Sequence, residues 1–185
     1  MDTDVVTLFF ALLATLAQLV VVLALILWLG SKVSPAAARA KESVLEVVGP
    51  QALTLAAVVA LVSTLGSLYL SEVANFTPCR LCWFQRIAIY PLVVVLGVGA
   101  VRKDMGVRLT GGILAGIGAC ISIWHLLVER YPTLESTSCD PLNPCSFKWI
   151  EEFGYLTIPG MALSGFALIG VLLAAARPLS LEEQP

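Results

Sequence analysis

Four stretches of this chain, 5–31, 47–71, 109–128 and 153–176, contain no Asp, Glu, Lys or Arg. Each is long enough to cross a bilayer core as a helix, which takes roughly 20 apolar residues. A backbone inside hydrocarbon must satisfy its own hydrogen bonds, so only helices or a closed barrel can span, and unbroken apolar runs of this length select helices. A fifth run, roughly 83–101, carries one charge near its start, Arg86, and then fifteen uncharged residues. It reads as a fifth span with Arg86 near one membrane face. Five crossings use a little over half of the 185 residues, leaving short connections and no room for a separate soluble domain.

Composition narrows the function classes. The chain is 58% hydrophobic and 13% charged, about half the charged share of a soluble domain, which excludes a cytosolic enzyme. Its 11 basic and 13 acidic residues form no basic cluster, and there is one histidine, so nucleic acid is not an expected partner. The first stretch is too long for a signal-peptide core, follows acidic Asp2 and Asp4, and lacks a small-residue cleavage pattern. It is expected to stay as a helix, giving one integral membrane domain over 1–185 with an N-terminal helix at 1–31 and a core at 47–176.

Five spans put the termini on opposite sides, so the charges of the two groups of loops can be compared. Lys32, Arg39, Lys41, Arg102, Lys103, Arg108 and Arg177 share one side. Arg80, Arg86, Arg130 and Lys148 share the other, with eight of the 13 acids: Asp2, Asp4, Glu72, Glu129, Glu135, Asp140, Glu151 and Glu152. The positive-inside rule places the seven-base side in the cytoplasm. The N-terminus and the loops 71–83 and 129–154 then lie outside, and the C-terminal tail lies in the cytoplasm.

Small residues every four positions, Gly112, Gly116 and Cys120, predict close helix packing along the fourth span, with Gly165 and Gly170 on the fifth. Cys120, in an apolar run, is expected to pack as a small hydrophobe. Pro91 and Pro159 are each expected to free a backbone carbonyl inside a span.

The remaining four cysteines fall on the outer side as two local pairs, Cys79–Cys82 and Cys139–Cys145. Paired thiols outside the cytoplasm tend to oxidise. A C-x-x-C ring encloses almost no chain, so it adds little stability as a staple and is better suited to redox exchange. Pro78 ahead of Cys79 and an apolar run after it suggest that the pair opens the third span, where the helix dipole favours a thiolate. Arg86, four residues after Cys82, lies on the same helical face and can stabilise a Cys82 thiolate or hydrogen-bond a ligand oxygen. A guanidinium in a span needs a partner: a ligand, a lipid headgroup or outside water. Trp83, Phe84 and Tyr90 offer aromatic surface for a flat ring, although Trp and Tyr also anchor helices at interfaces. His125, at a depth comparable with Arg86, can move protons or bond a ligand, or simply bond a neighbouring helix. The Pro-rich loop from Pro132 to Pro144 is expected to be exposed and mobile, within reach of another protein and free to swing toward the first pair.

The run Gly66-Ser67-Leu68-Tyr69-Leu70-Ser71-Glu72-Val73 and the run Pro78-Cys79-Arg80-Leu81-Cys82-Trp83-Phe84-Gln85-Arg86-Ile87-Ala88-Ile89-Tyr90-Pro91 closely resemble the DsbB family of membrane thiol oxidases, in particular its BdbC-type branch. The resemblance continues through Trp124-His125-Leu126-Leu127, the Cys139/Cys145 loop and Thr157-Ile158-Pro159, covering roughly 50–176. It implies an all-helical membrane protein with a DsbB-like four-helix bundle, to which the first helix is an addition. It also implies a bacterial inner-membrane location, a membrane quinone (ubiquinone or menaquinone) as electron acceptor, and a soluble DsbA-like thioredoxin-fold thiol oxidase as partner.

Carried over by position, the disulfides would be Cys79–Cys82 and Cys139–Cys145. Cys82 would face the quinone, Arg86 would polarise a quinone oxygen, and Trp83 and His125 would border it. Cys79 would exchange with the loop, Cys139 would form the mixed disulfide with the partner, and Cys145 would link back to Cys79. The added helix, the extra Cys120 and the close spacing of the loop pair depart from the family pattern.

Other classes compete. A structural membrane protein with fixed outer disulfides would hold both pairs in one state. Four thiolates could bind a metal, since C-x-x-C is a common half of a zinc site, but the second pair lacks the usual spacing and no metal is expected. Quinone reductases of the vitamin K epoxide reductase type use similar chemistry, but carry the quinone-proximal pair near the end of their bundle.

Overall fold

The structure is a computed structural model and describes residues 3–135 and 139–178. Met1 and Asp2, loop residues 136–138 and the tail from 179 lie outside the described residues. The helices are α1 (Thr3–Gly30), α2 (Pro35–Val48), α3 (Ala52–Glu72), α4 (Arg80–Arg102), α5 (Val107–Arg130) and α6 (Ile158–Ala175). Five helical segments are long and apolar enough to cross a membrane, α2 joining α3 through a short 3₁₀ turn. The expected all-helical, multi-pass membrane protein is what the chain forms. The short cytoplasmic connection expected at 30–46 is largely helix α2, which Pro35 can open because an N-terminal position needs no amide hydrogen.

Helices α3 to α6 form a bundle in which α4 packs between α3 and α5, and α6 closes against α5 and α3. Helix α1 lies outside this set, against α6. The bundle core is Leu92 and Leu96 of α4 with Phe166 and Ile169 of α6, all at most 2% exposed. Apolar side chains such as Leu12, Leu16, Leu19 and Leu23 point outward, as suits a lipid solvent that gives no reason to bury them.

Close approach on α5 uses a different face from the one expected. A Cβ on Gly118 would lie 2.2 Å from the Phe166 ring, and one on Gly111 would lie 2.8 Å from Leu96. Gly112 and Gly116 have nothing within 4 Å of that position, and Cys120 is exposed. The four-residue repeat therefore marks the outward face, and Cys120 does not pack in the core. The inward face runs through Gly111, Ala115, Gly118, Ser122 and His125, mixing steps of three and four as a 3.6-residue helix requires.

Pro159 also differs from expectation. It sits in the first turn of α6, where no carbonyl is left unpaired by its missing N–H. The span starts at Ile158 because residues 152–157 form a tight turn, with Glu152 and Leu156 exchanging backbone hydrogen bonds across it. Pro91 is inside α4, as the sequence indicates.

Candidate active site

Cys79, Cys82, Cys139 and Cys145 gather at one end of the bundle, opposite the end holding Lys103, Arg108 and Arg177. Cys79 is the N-cap of α4; its backbone is extended, and its sulfur accepts a hydrogen bond from the Cys82 amide at 3.3 Å. This is the helix-opening position that Pro78-Cys79 suggests. The Cys79 and Cys82 sulfurs stand 2.8 Å apart, unbonded here and near enough to join in the bridge that the resemblance implies. Hydrogen bonding from Cys82 holds the Cys79 thiol well below the usual range, to about 5, against the opposing effect of burial; His125 adds to the lowering.

His125 Nε2 lies 3.6 Å from the Cys79 sulfur and 3.0 Å from the Cys145 carbonyl oxygen. A carbonyl can only accept, so Nε2 carries the hydrogen, leaving Nδ1 buried without a partner among the described residues. The ring is 2% exposed.

The second pair is bonded, with its Cα atoms 6.0 Å apart. Cys145 is fully buried and Cys139 partly exposed. The described residues from Pro132 to Pro144 are exposed or half-buried, as expected, and side-chain hydrogen bonds hold parts of the loop in place. Glu135 accepts from the Cys145 amide and from the Ser146 hydroxyl, and the Asn143 side-chain amide donates to the Thr77 carbonyl at 3.3 Å. Cys79, Cys145 and Val128 form one small buried cluster with Cys82 and Cys139 at its edge, so the expected swing of this loop is not needed to bring the pairs together.

Arg86 is 7% exposed. Its Nε donates to the Ser67 hydroxyl at 2.9 Å and Nη2 to the Ser67 carbonyl at 2.7 Å, while Nη1 makes no hydrogen bond among the described residues. The guanidinium also lies 5.1 Å from the centre of the Trp83 ring, which is itself about half exposed. Beside it is a cavity of about 410 Å³. Cys82, Gln85, Arg86 and Ser67 line one end, and Val58, Val20 and Leu168 line the other. Phe76 stacks on Trp149 at 5.2 Å, and both border the cavity at its cysteine end.

Of the sequence-indicated residues, Cys82 and Arg86 reach this cavity. Trp83 and His125 do not line it: Trp83 backs the guanidinium, and His125 sits between the two cysteine pairs. Ser67, Gln85 and Glu135 escaped the sequence reading as site residues. Ser67 lies inside the quoted Gly66–Val73 run, but short polar side chains in a span carry no signal until their partner is known. Cys79 Sγ, Cys82 Sγ and His125 Nε2 lie within 4.8 Å of one another, close enough to share a metal ion.

Residues 50–176 match the family model described as Disulfide bond formation protein DsbB. The Disulfide bond formation protein C of Bacillus subtilis is 45% identical over 117 residues, covering 63% of this chain and 85% of that protein. The Probable disulfide formation protein C 1 of Bacillus anthracis is 43% identical over 112 residues, 60% of this chain and 80% of that protein. The Probable disulfide formation protein of Oceanobacillus iheyensis is 42% identical over 109 residues, 58% and 75% of the two chains. No solved structure matches.

Proposed function

The chain belongs to the DsbB family of disulfide bond formation proteins, and on that premise we propose that it is a quinone-dependent dithiol oxidase that restores the disulfide of a soluble, extracytoplasmic, DsbA-like thioredoxin-fold oxidase. The coarse role, a membrane protein of disulfide bond formation with thiol–disulfide chemistry, follows from the family. One observation carries the finer reading: the Cys79/Cys82 pair faces two ways. Cys82 borders the apolar cavity together with Arg86, while Cys79 meets the His125 ring and the buried cluster of the second pair.

The residues present suit a flat, apolar ring bearing oxygens. Arg86, Gln85, Ser67 and Thr77 offer polar contacts at one end of the cavity, and Ser63 lies farther along a lining that is otherwise apolar. A ubiquinone or menaquinone held there supplies an acceptor for two electrons and two protons. Ser67 fixes the guanidinium from behind, and burial keeps it from being hydrated away.

On the other side, a partner thiolate attacks Cys139, the more accessible sulfur, and Cys145 leaves as thiolate. The second partner thiol then displaces Cys139, so the partner is oxidised and the loop pair becomes two thiols. Cys145 next attacks Cys79 of the oxidised first pair, Cys82 leaves as thiolate facing the cavity, and Cys139 displaces Cys79 to restore the loop disulfide. The Cys79 thiolate is a good leaving group because the Cys82 side chain, then His125 and the Cys82 amide, hydrogen-bond it. The His125 Nε2–H, directed between the Cys145 carbonyl and the Cys79 sulfur, is placed to donate to and stabilise the Cys79 thiolate as it forms. The excess of bases at the opposite end supports an extracytoplasmic side for this chemistry in a bacterial inner membrane.

The test is thiol trapping in native membranes of the wild type, Cys79→Ser, Cys82→Ser and Arg86→Ala, with quinone present and then depleted. The oxidase reading requires both pairs to be oxidised with quinone and reduced without it, with slower reoxidation in Arg86→Ala. Pairs that hold one state at every quinone level point to fixed structural bridges. The Cys79, Cys82 and His125 cluster favours a second reading, a metal site; metal content near one zinc per chain in purified protein would replace the redox reading.

A further inference from the structure

Helix α1 lies outside the family match, yet it forms a wall of the cavity. Phe10, Leu13, Ala14, Ala17 and Val20 all line it, and they recur every three or four residues along one face of α1. Over this strip the helix rises about 15 Å, so the wall is long relative to a single ring. Val58, Val62 and Gly66 of α3 line the same cavity, and at the cysteine end Phe10 closes on Gly66, where a Cβ would lie 2.8 Å from the Phe10 ring. Arg86, Gln85 and Ser67, which could meet a head group, sit at that pinched end, and beyond it the shaft is apolar except for Ser63.

Helix α1 is fixed in place. Ala11, Ala14 and Ala17 are buried, Ala11 and Ala14 in one cluster with Leu156. The Gln18 amide donates to Ser164 at 3.0 Å and accepts from the Tyr155 hydroxyl at 3.0 Å, and Thr7 donates to Glu152 at 3.2 Å.

We propose that α1 is the tail wall of the electron-acceptor site: it converts a head-group site open at one flank into a lined channel and thereby selects acceptors by their apolar tail. This deepens the quinone reading and rests on it.

The experiment compares the full-length protein in detergent micelles with two ligands, a decyl-tailed benzoquinone and the same ring without a tail. Binding is followed by quenching of tryptophan fluorescence, and kcat and KM are measured alongside. Leu13→Phe and Val20→Phe narrow the channel at side chains that are 37% and 40% exposed, and so should be tolerated by the fold; unfolding temperature checks this. The expected result is a tenfold or greater weakening for the tailed ligand, with less than a twofold change for the bare ring. Equal change for both ligands, or none for either, overturns the proposal while leaving the quinone reading intact. A wild type that binds neither ligand removes the quinone reading itself, and the wall with it.

Discussion

His125 Nε2 stands 3.6 Å from the sulfur of Cys79 while it bonds the carbonyl of Cys145, so one buried ring touches both redox pairs. Removing one positioned donor to a developing negative charge typically costs about 10²–10³-fold. His125→Ala, which takes the Nε2–H away from the Cys79 sulfur and the Cys145 carbonyl, is therefore expected to slow electron transfer between the pairs by roughly a hundredfold. Rapid acid quenching and mass spectrometry should then show reduced Cys139 and Cys145 accumulating while Cys79–Cys82 remains oxidised. Equal rates in variant and wild type would remove the ring from the exchange.

The depressed Cys79 thiol sets a pH dependence. Its folded value of about 5 lies below the ordinary thiol value of 9.0, so between these the folded, reduced protein binds fewer protons than the unfolded chain. Stability of the reduced form should rise with pH across that window, be complete above it, and be lost as pH falls toward about 5. Alkylation of Cys79 by iodoacetamide should share the midpoint and stay nearly flat from pH 6.5 to 8, roughly, whereas an ordinary thiol reacts faster throughout that range as its thiolate grows. A midpoint near 8 to 9, roughly that of a free thiol, would contradict the assignment.

Arg86 holds Ser67 by two hydrogen bonds, through Nε and Nη2, and lines the cavity. Replacing it removes a charged donor from a low-dielectric site, an effect worth about 10²-fold or more where charge develops in the reaction. Arg86→Ala should lower kcat/KM for quinone by about that factor, and Arg86→Lys should recover only part of it, because a single ammonium cannot both grip Ser67 and reach a ligand. Steady-state kinetics against quinone concentration measures this, and full recovery in the lysine variant would count against it.

Two glycines on α5 separate packing from pattern. Gly118→Ala drives a methyl into the Phe166 ring and should destabilise the bundle by about 1–3 kcal/mol. Gly112→Ala meets nothing and should be neutral within about 0.5 kcal/mol. Thermal unfolding in detergent distinguishes them; a reversed order would mean that α5 presents its other face to the bundle.

That contrast also marks how far the sequence could be read. Spans were legible because the absence of charge over 20 residues, roughly, is a solvent requirement of the bilayer and does not depend on neighbours. The face of each span was not, because in lipid both faces are apolar and hydrophobic periodicity, the usual guide, fades. A four-residue repeat of small side chains on α5 therefore looked like the contact face when the true one was Gly111, Ala115 and Gly118. At the site, Cys79, Cys82 and Arg86 were legible together because they share one helix and its geometry follows from their spacing. His125 was legible as a candidate but not in its place, since its neighbours come from the start of α4 and from the loop after α5. Glu135 and Ser67 act only through partners distant in sequence, on which spacing is silent.

Gln18 of α1 has a consequence beyond its two hydrogen bonds. An amide halfway along this mostly apolar helix works as an indexing pin, with Thr7 on Glu152 as a second one nearer the helix start: a slide by one turn, or a rotation by one residue, would carry Gln18 off Ser164 and Tyr155 into hydrocarbon. The exposed side chains of α1 are then free to drift between one aliphatic group and another without the helix losing its register. The helix can behave as an exchangeable cassette, its outward face rewritten for a different lipid while these two polar pins keep its inner face aligned with the channel.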